Sequence, residues 1–200
     1  MPRSFAPRSG SGMQTEPLLD AAEALVAAAR RLGADAADAV GRGSFSQGVG
    51  VRLGKLEDLD SSQSAEVGLR AFVGRRSASV SSADLSRAGI EELAERAVGM
   101  ARLAPEDRFA GLAPPESLAT GPFRELDIAD PADPGPEMLR ERALAVEDAA
   151  RSVAGVTNSE GGSAGATRAA VALVTSNGFA AAYRGTAHSL SASFSPSGMR

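Results

Sequence analysis

The chain has 200 residues, enough for one domain with a sizeable core, and is 43% apolar with much of that alanine and only 4% aromatic. Its formal charge of -4, from 21 basic and 25 acidic side chains, offers no broad attraction to polyphosphate and argues against nucleic-acid binding. The absence of cysteine removes disulfides, thiolate metal sites and cysteine nucleophiles together and is compatible with a reducing cytoplasm.

Residues 1–15 are rich in Pro, Gly, Ser and Arg and lack the apolar stretch of a secretory signal, so they read as a disordered leader. No run approaches the roughly 18 apolar residues that span a bilayer. From Glu16 to Leu32, the residues Leu18, Ala22, Leu25, Val26, Ala29 and Leu32 recur at helical spacing, with Thr15 placed to cap the start and Gly33 to end it. Between Ala36 and Ser82 the period changes to two. Val49, Val51 and Leu53 alternate, as do Val67, Leu69, Ala71 and Val73, and Gly54-Lys55 and Gly74-Arg75 supply turns, which predicts an antiparallel meander.

A second amphipathic helix starts at about Ser86, carries Ile90, Leu93, Ala94, Ala97, Val98 and Ala101 on one stripe, and stops before Pro105. Residues 105–136 are punctuated by Pro and Gly and read as an extended connector. A third helix is expected over Glu137 to Val153, with Leu139, Ala143, Val146, Ala150 and Val153 facing the core. A polar, glycine-rich corner at 155–163 then leads to two apolar runs around Asn177-Gly178, a hairpin with a type I′ turn. The whole is an α+β chain with helices packed on a mainly antiparallel sheet. Its divisions are a leader over 1–15, an α+β domain over 16–153, and a hairpin region over 154–200.

The corner residues Asn158, Ser159, Glu160, Gly161 and Gly162, together with His188, are polar or small positions that no apolar periodicity explains. They are the candidates for contact with a substrate or a partner. Complete catalytic motifs are missing. A zinc hydrolase site needs about three protein ligands, and the chain has one histidine. Gly161-Gly162-Ser163-Ala164-Gly165 matches the G-x-S-x-G pattern, but an Asn-Gly hairpin follows where a helix is required, and no acidic residue follows Glu160 to complete a triad. The glycines at 48, 50 and 54 lack the spacing of a phosphate loop.

Three motifs in order, Thr157-Asn158-Ser159-Glu160-Gly161-Gly162-Ser163, Ser176-Asn177-Gly178-Phe179 and Thr186-Ala187-His188-Ser189-Leu190-Ser191, resemble the TldD/PmbA family, in particular its PmbA (TldE) branch. Val67-Gly68-Leu69-Arg70 and the stretch from Arg76 to Leu85 resemble the N-terminal region of the same family. The resemblance implies the N-terminal part of a protein about twice as long, continuing into a C-terminal domain. It also implies a cytoplasmic metallopeptidase assembly in which a TldD-like, HExxxH-bearing subunit holds zinc. The present chain then binds no cofactor itself, forms chamber wall and subunit interface in a heterodimer, and helps enclose unfolded peptides. The family's description as a modulator of DNA gyrase implies the alternative, a non-catalytic protein-binding adaptor.

Overall fold

The computed structural model describes residues 14–124 and 126–196. The leader and the last four residues therefore lie outside the described residues, apart from positions 14 and 15. The elements run α1 (Glu16–Arg31), β1 (Ala36–Arg52), β2 (Lys55–Val73), β3 (Arg76–Ser82), α2 (Arg87–Leu103), a 3-10 turn at Pro115–Ser117, α3 (Pro136–Arg151), β4 (Val156–Thr175) and β5 (Ala180–Pro196). The strands form one sheet in the order β3-β2-β1-β4-β5, so the α+β, antiparallel architecture expected from the sequence is present. The chain forms two compact units. One takes residues up to 43, 64–126 and 169–184, and the other takes 44–63, 127–168 and 185 onward, so the four long strands contribute to both.

In the first unit, α1 and α2 bury their predicted stripes. Leu25, Ala29, Leu93, Ala94, Ala97 and Val98 meet Val67, Leu69 and Ala71 of β2 and Ala37 and Ala39 of β1 in one core. So many alanines at the contact let helix and sheet backbones approach closely, which suits a chain poor in aromatic residues. Ser86 caps α2, its hydroxyl accepting the Gly89 N–H at 3.1 Å, and Leu85 packs on the core as Ile90 does. Ser86→Ala is expected to lower stability by about 1 kcal/mol, read from a denaturant midpoint that shifts without a change of slope. Thr15 stands at the start of α1 without making a side-chain cap, because its backbone is already helical and Pro17 needs no N–H partner. Gly33, at φ +95, ends the helix.

The turns depart from their simplest readings. The β1–β2 turn centres on Leu53-Gly54, one residue earlier than Gly54-Lys55, with φ of 50° and 75°, the type I′ geometry. Leucine is poorly suited to that left-handed position. Leu53→Asn is therefore expected to raise stability by about 0.5–1 kcal/mol, seen as a higher melting temperature. The β4–β5 turn is not type I′: of Asn177 and Gly178, only Gly178 has positive φ, at 104°. Thr175 accepts the Gly178 N–H at 3.2 Å and donates its own N–H to Phe179 O at 2.8 Å, giving a three-residue loop that ends in a left-handed glycine. The Thr175 hydroxyl accepts the Phe179 N–H at 3.1 Å and donates to Asn177 Oδ1 at 2.6 Å, which holds the asparagine in this form.

In the second unit, α3 lays Leu139 and Ala143 on Val49 and Val51 of β1 and Ala164 of β4. The predicted α3 face is corrected one turn further on: Val153 is 55% exposed and Glu147 is 1% exposed. The stretch 155–163 is likewise no corner, since β4 begins at Val156 and runs through it. Its Gly, Ser and Asn composition mimics a turn, but here small residues serve close packing.

Candidate functional site

The six candidate residues fall at two places in the second unit. The first is a clasp around Glu147, in which Leu139, Ala143 and Glu147, four residues apart, share one face of α3. That spacing carries the carboxylate into the apolar stripe. Its Oε1 accepts the Leu53 N–H at 2.7 Å and the Ser159 hydroxyl at 2.5 Å, and its Oε2 accepts the Gly54 N–H at 3.0 Å. One buried side chain thus ties the tip of the β1–β2 hairpin to β4. The Ser159 hydroxyl holds the Glu147 carboxyl below its ordinary range, aided by the Gly54 and Leu53 amides and the charge of Arg151, while burial pushes the other way.

Ser159 is itself buried, and its hydroxyl also accepts the Gly161 N–H at 3.1 Å. Its carbonyl accepts from Arg52 Nε at 3.1 Å, and Arg52 reaches Glu160 at 3.3 Å. Asn158 Nδ2 donates to Glu160 Oε1 at 2.6 Å. Gly161 sits at φ +117, and a Cβ there would lie 2.6 Å from Val51 O. A Cβ on Gly162 would lie 2.5 Å from Ala143 O and 3.0 Å from Glu147 Cβ. Ser159, Gly161 and Gly162 thus seat β4 against its neighbours, whereas Asn158 and Glu160 are exposed.

The second place is on β5. His188 Nε2 lies 3.6 Å from Asp130 Oδ2, an ion pair whenever the imidazole is protonated. The end of the Pro/Gly connector runs beside this strand: Thr186 N–H donates to Ile128 O at 2.9 Å, and the Asp130 N–H donates to Thr186 Oγ1 at 2.8 Å. An open groove of about 460 Å³ lies there, lined by Asp127, Ile128, Asp130, Pro131 and Thr186. Among the described residues, His188 pairs with Asp130 and not with the Glu147 clasp. Sequence reasoning missed Glu147 and Asp130. The signal for the first was its spacing from Leu139 and Ala143; the second is distant in sequence and left none.

No group of three or more His, Asp or Glu side chains converges among the described residues in a way that could hold a metal ion. The described residues therefore offer no donor set of the kind a hydrolytic zinc needs. The buried carboxylate spends its oxygens on N–H and O–H donors within the chain, which gives it a holding role.

Residues 37–101 match the family model for PmbA/TldA metallopeptidase domain 1, and residues 129–195 match that for the PmbA/TldA metallopeptidase central domain. Among curated relatives, the chain is 33% identical over 144 residues to the Metalloprotease PmbA of Escherichia coli, covering 72% of this chain and 32% of that protein. It is 28% identical over 181 residues to the Metalloprotease PmbA homolog of Haemophilus influenzae, covering 90% of this chain and 40% of that protein. The chain thus spans about a third to two-fifths of the length of these relatives. Its fold is shared with a crystal structure from Bacteroides thetaiotaomicron described as a modulator of DNA gyrase, at TM-score 0.81 and 24% identity over 90% of this chain and 41% of that one. TldE from Thermococcus kodakarensis matches at TM-score 0.73 and 19% identity over 87% of this chain and 39% of that one.

Proposed function

Because this chain belongs to the PmbA/TldD metallopeptidase family, we propose that it acts as the PmbA-type subunit of a cytoplasmic peptidase assembly, supplying wall and interface while a partner supplies the metal. The observation that carries this reading is the match of residues 37–101 and 129–195 to two PmbA/TldA metallopeptidase domains, together with the PmbA relatives. The division of labour follows chemically. A hydrolytic zinc polarises the scissile carbonyl and activates water, and the partner's HExxxH motif would hold it. This chain would contribute strands and exposed polar side chains that hold an extended, unfolded peptide through main-chain hydrogen bonds.

Of the six candidates, Asn158, Glu160 and His188 are exposed and are assigned to the chamber or the interface. Ser159, Gly161 and Gly162 keep the strand in place. No helix among the described residues is long and apolar enough to cross a membrane.

The test is to co-express the native gene product containing this chain with an HExxxH-bearing paralogue of the same genome. The mass of the complex and the hydrolysis of an unfolded peptide are then measured. Alanine at Asn158, Glu160 and His188 together is expected to lower hydrolysis or assembly; a triple variant that changes neither removes the chamber assignment. An adaptor role is the second reading, favoured by the gyrase-modulator description of the Bacteroides structure. Stable complex formation with no hydrolysis of any peptide would favour it.

A further inference from the structure

Among the described residues, the outer edge of β2 between Lys55 and Gln63 has no strand beside it. β3 pairs with Val67–Val73 only, while β1 occupies the opposite side of β2. Residues 53–63 are all exposed, and an uncovered strand edge presents N–H and C=O groups ready to pair with another chain. Three large apolar side chains project from this short stretch: Leu53 is 57% exposed, Leu56 51% and Leu59 56%.

Leu53 is the most telling of them. Its φ of 50° costs a residue with a Cβ about 1–2 kcal/mol, and a side chain so exposed gains little from packing within the chain to offset this. The tip is nevertheless held firmly, with both turn N–H groups bound by the buried Glu147 carboxylate. A strained, exposed leucine on a fixed turn is a presented contact, already ordered before anything binds it.

Charge selects the occupant. Glu57 and Asp58 stand between Leu56 and Leu59, Asp60 follows Leu59, and Lys55 lies at the start of the strand. Across the ladder from the aspartates are glycines: a Cβ on Gly50 would lie 3.4 Å from Asp58 Cβ, and one on Gly48 3.9 Å from Asp60 Cβ. Those glycines supply no cation, and the neighbouring Asp58, by hydrogen bond and by charge, raises the pKa of Asp60. A second copy of the chain would bring an equally acidic strip to this edge, so self-pairing is disfavoured. A strand with basic side chains between apolar ones is complementary in shape and sign.

We propose that the β2 edge from Leu53 to Gln63 is a docking site for an extended segment of a partner protein that alternates apolar with arginine or lysine side chains. The proposal needs binding alone and does not depend on the peptidase reading.

The probe is a fluorescein-labelled nine-residue peptide alternating valine and arginine, titrated into the full chain and followed by anisotropy. Its comparators are the same peptide with prolines replacing alternate valines, and a valine–glutamate peptide. The first is expected to bind, and each comparator is expected to bind at least about ten-fold more weakly. Asp58→Lys with Asp60→Lys is expected to weaken binding by about ten-fold or more. Leu53→Asn is expected to weaken it while raising the melting temperature, a combination that a purely structural role for Leu53 does not produce. Hydrogen exchange on the wild-type chain should show the 55–63 amides slowed by bound peptide, a readout that does not rely on the variants folding. Equal binding of the proline peptide, unchanged binding by the charge-reversed variant, no protection at 55–63, no binding at all, or self-association through this edge would each overturn the proposal.

Discussion

Glu147→Ala is expected to lower the stability of the chain by about 3 kcal/mol, because it leaves the Leu53 and Gly54 amides and the Ser159 hydroxyl without their acceptor. Glu147→Gln retains one acceptor oxygen and loses the charge, so its cost is smaller, about 1–2 kcal/mol. The effect depends on pH with a definite sign. The folded state holds the Glu147 carboxyl below its ordinary value of 4.5, so the unfolded chain takes up the proton first on acidification. The contribution is therefore fully present above the ordinary value and lost as pH falls through the folded one. Chemical denaturation of wild type and Glu147→Gln between neutral pH and the acid limb checks this: the two curves converge in acid. Asp84, hydrogen-bonded to Ser86, is shifted the same way, and comparison at fixed Asp84 isolates the Glu147 part. Curves that stay parallel down to the acid limb would mean that the carboxylate does not hold the turn through its charge.

Gly162→Ala is expected to cost about 2–4 kcal/mol, because its methyl would meet the Ala143 carbonyl at 2.5 Å and the Glu147 Cβ at 3.0 Å, neither of which is a yielding side-chain end. The helix must lift from the strand or the strand must bend, and either movement disturbs the Glu147 bonds. Gly178→Ala is the comparison. It has positive φ but nothing within 4 Å, so it reports backbone strain alone and costs about 1 kcal/mol. Thermal melts of the two variants separate the mechanisms: similar losses would show that crowding against α3 is not what requires glycine at position 162.

The amphipathic helices were legible because α1 and α2 bury unbroken stripes, Leu18 to Ala29 and Ile90 to Ala101, at the 3.6-residue period. The strands were legible where one face is apolar, around Val49–Val51 and Val67–Val73, and in the two apolar runs that flank Asn177-Gly178. Much of β4 was hidden because Ser159, Gly161 and Gly162 carry turn-like chemistry while seating the strand against its neighbours. A glycine required by a facing carbonyl looks the same in sequence as a glycine required by a turn. Glu147 was hidden for the opposite reason: a carboxylate inside an apolar stripe violates the pattern used to find the stripe, and two of its three donors, Leu53 and Gly54, lie far away along the chain. His188 stood out as the chain's single histidine, but only the fold brings Asp130 beside it. Identity came from elsewhere, from three short motifs in order, which resembled the family that the domain matches then showed.

The central functional claim is that hydrolysis belongs to an assembly in which this chain does not carry the metal. Its most direct measurement is cleavage of an unfolded peptide by the purified native gene product alone, by an HExxxH-bearing paralogue alone, and by the two together. The account predicts cleavage by the pair, abolished when a histidine of the paralogue's HExxxH motif is changed and retained, at a reduced rate, with His188→Ala in this chain. Cleavage by the product containing this chain in the absence of any such partner would contradict it.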